Sequence, residues 1–280
     1  MRSKIYISLF TFIFFSNTFA EELLIQAKNI TLDKDKVTTI FENDVVVKTK
    51  NKTIKSQYVK YNKKIGLLIL KKSIVAEDNE NNVITSENAE FNENNGIFKT
   101  FGPTNIFTSE NYKVKGRDIT LNNQSKTISS NKLTTISDPE GNYIELQNFN
   151  YQVKNNIFQS IGSVKISDKH KNDYEFSQIY IDTKKKEILG TDIKAFLNEE
   201  SLKVNPKNKP RVFANSIKLS TKKSTFSKSI FTICDYREND KCPPWTIQAS
   251  KMLHDNIKKT IYYDNALIKV YDIPIFYIPK

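Results

Sequence analysis

Apolar residues recur in pairs, two positions apart, at an interval of thirty residues along this chain. Ile54 opens IKSQYVKYN, Ile84 opens ITSENAEFN, Val114 opens VKGRDITLN and Ile144 opens IELQNFNYQ. Further copies drift slightly: EFSQIYIDT from Glu175, VFANSIKLS from Val212, WTIQASKML from Trp245, and LIQAKNITLD near the N-terminus. Within each copy the first half ends on an alternating pair: Ile30/Leu32, Val59/Tyr61, Ala89/Phe91, Ile119/Leu121, Phe149/Tyr151, Ile179/Ile181, Ile217/Leu219 and, in the last copy, Met252/His254. Apolar positions two apart, separated by Lys, Asn, Thr or Asp, mark a strand with one buried face. A polar turn follows (DKDK, NKK, NENNG, NNQSK, TKKK), then a longer strand, often interrupted by Gly or a polar kink. That strand carries its own pairs: Val45/Val47, Val164/Ile166, Ile193/Ala195, Ala266/Ile268.

Two strands per copy, joined by turns of a few residues, predict antiparallel neighbours, because parallel strands need a long crossover. Eight copies predict roughly sixteen strands in an all-β stack with no helical domain, since no 3.6-residue period competes. One repeat cannot bury its own apolar face. Stacked repeats make a continuous apolar strip, and two such strips facing each other give a sandwich, a jelly roll or an open V. The two inner faces either fill each other or splay to leave a slot for an apolar ligand. The first and last strands have free edges that invite strand addition by another β-protein.

The extreme N-terminus departs from this grammar. MRSK is followed by IYISLFTFIFF and SNTFA: a short basic stretch, an apolar run of about 11 residues, and small residues at Thr18 and Ala20. This is the pattern of a cleavable secretory signal over residues 1–20, too short for a membrane-spanning helix, and it leaves one β region over 21–280. Removing Arg2 and Lys4 lowers the net charge from +12 to +10, a balance that favours anionic partners. Lys and Asn are abundant throughout while Arg occurs at only four positions, so part of the charge is compositional. An exported chain is not expected to meet nucleic acid. Two cysteines in such a chain, Cys234 and Cys242 in an insert at 234–244, favour a disulfide closing a small loop; free or intermolecular thiols are the alternative.

No motif for catalysis, metal or cofactor stands out. His170 and His254 have no paired spacing, and no G-x-S-x-G occurs. Asp235, Glu238 and Asp240 lack calcium-loop spacing and read as a solvated turn. His254 shares the inward position of Met252 and reads as a packed or edge residue. The chain is expected to be no enzyme.

The repeat and its C-terminal end resemble the organic-solvent-tolerance family of lipopolysaccharide-transport proteins. The repeat resemblance rests on Ser86, Ala89 and Phe91, on Ala214, Ile217 and Leu219, and on Gly162-Ser163-Val164. A more specific likeness lies in FTICDYRENDKCPPWTIQASKM and DNALIKVYDIPIFYIPK. These resemble the segment by which the family's assembly members join a periplasmic domain to an outer-membrane barrel, so 261–280 reads as barrel-leading. The resemblance implies a jelly roll open along one side, with lipopolysaccharide acyl chains in a slot lined by Val59, Tyr61, Ala89, Phe91, Ile119, Leu121, Phe149, Tyr151, Ile179, Ile181, Ile217 and Leu219. It also implies a periplasmic location at the outer membrane, docking of a periplasmic bridge protein on the strand near Leu23 to Leu32, and contact with a barrel and its lipoprotein plug. The chain stops at Lys280, and reads as either a piece of a longer protein or a stand-alone domain. Two other readings compete: a passive adhesin-like or scaffold β-solenoid, and a glycan-acting enzyme on a solenoid, which needs a column of acidic or basic residues that the aligned copies lack.

Overall fold

A computed structural model describes residues 23–34, 36–185, 187–198, 210–220, 222–234, 243–255 and 257–279. The expected signal segment at 1–20 and most of the insert, including Cys242, lie outside the described residues.

The strands are β1 (Leu24–Gln26), β2 (Asn29–Leu32), β3 (Thr38–Lys48), β4 (Lys52–Asn62), β5 (Leu67–Asp78), β6 (Val83–Asn92), β7 (Ile97–Phe107), β8 (Lys113–Arg117), β9 (Thr120–Asn122), β10 (Thr127–Ser130) and β11 (Thr134–Ser137). They continue as β12 (Tyr143–Leu146), β13 (Phe149–Gln152), β14 (Ile157–Ser167), β15 (Asp173–Asp182), β16 (Glu187–Phe196), β17 (Arg211–Leu219), β18 (Lys223–Thr232), β19 (Trp245–Asp255), β20 (Thr260–Val270) and β21 (Ile273–Ile278). One short 3₁₀ turn, Val153–Asn155, interrupts them. All pairings are antiparallel and join rungs that follow one another in sequence. The 21 strands exceed the sixteen expected because four rungs are each broken into two pieces (β1/β2, β8/β9, β10/β11 and β12/β13) and β21 is added at the end.

Each long strand is folded at its middle. The bends carry left-handed residues: Asn43 and Asp44 in β3, Lys72 and Ser73 in β5, Gly102 in β7, Gly162 in β14, Asp192 in β16, Lys228 in β18 and Asn265 in β20. Ladder register shifts at the bends of β3, β5, β7 and β14, as between Glu42 and Val45 or Ile161 and Val164. A β-bulge bends its strand and resets the side-chain alternation. Inward residues therefore fall as two pairs per strand, either side of the bend: Leu68/Leu70 and Ile74/Ala76 in β5, Ile54/Ser56 and Val59/Tyr61 in β4. Stacked bends crease the sheet along its length into two facing walls. The first wall holds Val59/Tyr61 and its equivalents, and the second holds Val45/Val47 and its equivalents.

Inward positions beside the crease are mostly small: Ser56, Ser86, Thr104, Gly116, Ser130, Ser160, Gly190, Ala214, Ser229, Ala249 and Ala266. The walls converge there and leave little room. The apolar interior divides into two clusters, one from Phe41 to Ile119 and one from Leu146 to Met252, with Ile128 packed against both. Between them lies a seam with the buried hydroxyls of Ser130 and Thr134, which donate to the Arg117 and Lys132 carbonyls, and hydroxyls are also buried inside the first cluster. Thr104 Oγ1 donates to Thr100 Oγ1 at 2.8 Å, and Thr100 Oγ1 accepts from the Ile119 N–H at 2.9 Å.

Candidate functional site

The twelve slot candidates all lie on the first wall, and the structure brings them together as one inward-facing strip. The first member of each pair is buried: Val59, Ala89, Ile119, Phe149, Ile179 and Ile217 are at most 6% exposed. Of the second members, Phe91 is buried, whereas Tyr61, Leu121, Tyr151, Ile181 and Leu219 are half-buried. Depth therefore alternates along each pair, with one residue toward the crease and one toward the mouth. Rings on neighbouring rungs pack against one another along this wall. Phe149 and Phe158 stack at 5.6 Å, and Tyr151 meets the same ring at 6.4 Å. Ile30 and Leu32, expected to share this buried strip, are each 60% exposed, because β2 is an edge strand with no further rung over it.

The facing wall belongs equally to the interior. Val47, Ile54, Ile74, Val164, Ile193, Ala195 and Val212 are at most 2% exposed. Period-two reading marks these residues as apolar pairs, but does not show that the crease turns them toward the first wall.

A charged residue, Lys52, reaches the edge of this interior. Lys52 precedes Ile54 by two and so shares its inward face. Its ammonium sits 5.1 Å from the centre of the Phe91 ring and 5.9 Å from that of Phe98, both on the opposite wall. A cation over ring faces is attracted by their quadrupoles. Lys52 thus spans the mouth and holds a positive charge where the apolar interior meets water. Beside it, Tyr61 donates to Glu93 Oε1 at 2.6 Å. Burial, then that hydrogen bond, holds the Tyr61 phenol well above its usual pKa, so it stays a donor.

Toward the C-terminal end, His254 is buried in its predicted inward position beside Met252. Burial, reinforced by Lys259, lowers its pKa, while Asp255 opposes this weakly, so the imidazole is neutral in the fold. Where the insert leaves the sheet, Thr232 Oγ1 donates to the Trp245 carbonyl at 2.8 Å and accepts from the Cys234 N–H at 3.1 Å. Trp245 packs edge-on to Phe231 at 6.4 Å. The base of the insert is pinned, while the expected partner of Cys234 lies outside the described residues.

No family model matches the sequence, and no curated protein does. Among solved structures, one similarity is to the crystal structure of LptH from Pseudomonas aeruginosa, described as the LptA-homologous periplasmic component of the lipopolysaccharide transport device. The alignment covers 61% of this chain and 82% of that one, at 13% identity and a TM-score of 0.17. At that score the alignment carries no argument, and the architecture stands on the strand pairings above.

Proposed function

We propose that this protein is a periplasmic lipid carrier of lipopolysaccharide export, corresponding to the periplasmic domain of the outer-membrane LPS-assembly protein LptD. In this reading acyl chains lie between the two walls and the anionic headgroup sits at the mouth. The observation that carries it is the placement of Lys52. An ammonium at the rim of an apolar interior matches an amphiphile with several chains and a phosphorylated head. Half-buried apolar residues along the first wall's rim offer the entry surface. Each methylene moved from water into such a space contributes about 0.8 kcal/mol. The net charge, +12 in the full sequence and +10 without residues 1–20, favours the anionic head. The resemblance of the Cys-Pro-Trp insert and the PIFYIP end supports the assignment to the assembly member. The free edges fit a chain of β-proteins: a periplasmic bridge on β1 and β2, and a barrel with its lipoprotein plug beyond β21. The chain performs no chemistry in this reading.

The second reading, a passive scaffold with a filled core, is favoured by the deep positions, which already bury one another. A photo-crosslinking residue separates the two. Placed at the half-buried Ile181, and as a control at the exposed turn residue Lys185, it is expressed in a Gram-negative periplasm and probed for attached lipopolysaccharide. Carriage gives adducts at Ile181 and none at Lys185. Folded, exported protein without an adduct at Ile181 establishes the scaffold.

A further inference from the structure

The crease breaks open in the middle of the sheet, and its outer side holds a groove. Between β7 and β14 the rungs divide. On the second wall the order is β7, β8, β11, β12, β14, and on the first it is β7, β9, β10, β13, β14. Asn148 holds the division open at one side: its Oδ1 accepts from the Ile161 N–H at 3.3 Å, and its Nδ2 donates to the Ile161 carbonyl. Asp118 does so at the other, accepting from the Gly102 N–H at 2.8 Å. The resulting groove has a volume of about 720 Å³, within the range of small-molecule sites.

Its floor is unusually uniform. Register places Lys99, Thr120, Ser129, Asn150 and Gln159 side by side on five adjacent strands, all outward-facing and all lining the groove. At roughly 4.8 Å per strand this row is about 19 Å long. The Asn150 Oδ1 atom is buried and has no hydrogen-bond partner among the described residues, which costs free energy unless a ligand supplies a donor. Amides and hydroxyls both donate and accept. Along the crease side, the half-buried Phe101 and the 60% exposed Ile161 add apolar surface next to the polar row. A ligand matching this groove is elongated, rich in hydroxyls that donate and accept, and has apolar C–H faces.

We propose that this outer groove is a binding site for an oligosaccharide chain. Its polar row lies on the outer face, although the inward Ser130, Phe149 and Ser160 also border the groove, so probes without acyl chains are needed to read it apart from the interior. The test uses lipid-free probes with the whole exported chain: maltohexaose, chitohexaose, and the core oligosaccharide released from lipopolysaccharide by mild acid, each titrated by calorimetry and by amide NMR shifts. Saturable binding of at least one probe is expected, with shifts centred on Ser129 and Asn150. Ser129→Trp, which fills the groove, abolishes it, and the milder Gln159→Ala weakens it about tenfold, the loss of one good hydrogen-bonding group. Circular dichroism and thermal melts confirm that both variants fold. Absence of saturable binding with all three probes overturns the proposal, as does binding that both variants leave unchanged. Because the probes carry no acyl chains, neither result alters the crosslinking outcome at Ile181.

Discussion

At the scale of single residues, the crease is a problem of volume, and Gly190 shows how it is solved. Phe176 is a large, buried side chain beside the bend. A Cβ added at Gly190 would lie 2.4 Å from Phe176 Cδ1, closer than packed carbons approach. The glycine is there for space rather than for backbone freedom. Gly190→Ala is expected to lower stability by about 1–3 kcal/mol, the cost of overpacking a filled site. Combining it with Phe176→Leu should recover at least about 0.5 kcal/mol of the summed losses, read as a coupling energy from urea denaturation. The sequence shows Gly190 as a kink in a strand but not its partner, because the contact depends on the register between β15 and β16. His254 supplies a second prediction. Its folded pKa lies below the ordinary value near 6.5, so the unfolded chain binds the proton first as pH falls. The stability contributed by the neutral, buried imidazole is present above about pH 6.5 and is lost as pH drops through that value toward the folded pKa. Between pH 7.5 and 5.0 the urea midpoint of the native chain should fall further than that of His254→Gln; equal falls would remove His254 from the acid response.

Individual turns are locked by a device that the repeat also carries. Asp78, Asp138 and Asp168 each accept, through Oδ1, the N–H groups two and four residues on, while Oδ2 accepts from the side-chain amide of Asn82, Asn142 or Asn172. Each of those asparagines then passes its Oδ1 to the next turn: to the N–H of Ser109 at 3.0 Å, of Lys169 at 2.9 Å and of Asn198 at 2.8 Å. At the opposite ends of the strands Asn62, Asn92 and Asn122 accept from the N–H two residues ahead. Asx residues close turns in this way because the side chain mimics a backbone carbonyl. Here they also stitch one rung to the next but one. Asn142→Ala removes both links and leaves the Lys169 N–H without its acceptor. A loss of about 1–2 kcal/mol is expected, with hydrogen-exchange protection falling first at the 138–142 and 168–172 turns; an evenly spread loss would contradict the ladder. The thirty-residue interval from Asp78 through Thr108 to Asp138 and Asp168 is visible in the sequence. Its role is not, since a polar cluster between strands reads simply as a turn until the neighbouring turn is seen beside it.

For the whole molecule, periodicity made the all-β stack and its antiparallel order legible, and it located one inward pair on most rungs. It did not reveal the crease, which arises at left-handed bends of chemically varied residues (Asn43, Lys72, Gly102, Asp192), nor the split between β7 and β14, whose rungs look like any others in sequence. That split has an energetic consequence. In a stacked structure each rung supports only its neighbours, so stability is approximately a sum of local terms. The apolar cluster from Phe41 to Ile119 and the cluster from Leu146 to Met252 are joined in the interior by Ile128 and by the threonine and serine hydroxyls of the seam. Hydroxyls that donate to nearby backbone carbonyls, as those of Ser130 and Thr134 do, contribute little net attraction between halves. The later cluster also brings more large aromatic rings: Phe149, Phe158, Tyr174, Phe176, Phe226 and Phe231 against Phe41, Phe91 and Phe98. Each half is therefore a cooperative unit with its own stability, and the contact between them is the weakest joint in the stack. Hydrogen exchange followed by mass spectrometry across a urea series should show residues 38–107 and 157–255 losing protection at separate midpoints, the earlier half first. A large apolar residue in the seam should draw the midpoints together: Thr134→Leu replaces a fully buried hydroxyl between the clusters with a side chain able to touch both. Coincident midpoints in the native chain would mean that backbone ladders alone couple the halves, and that the seam is no boundary at all.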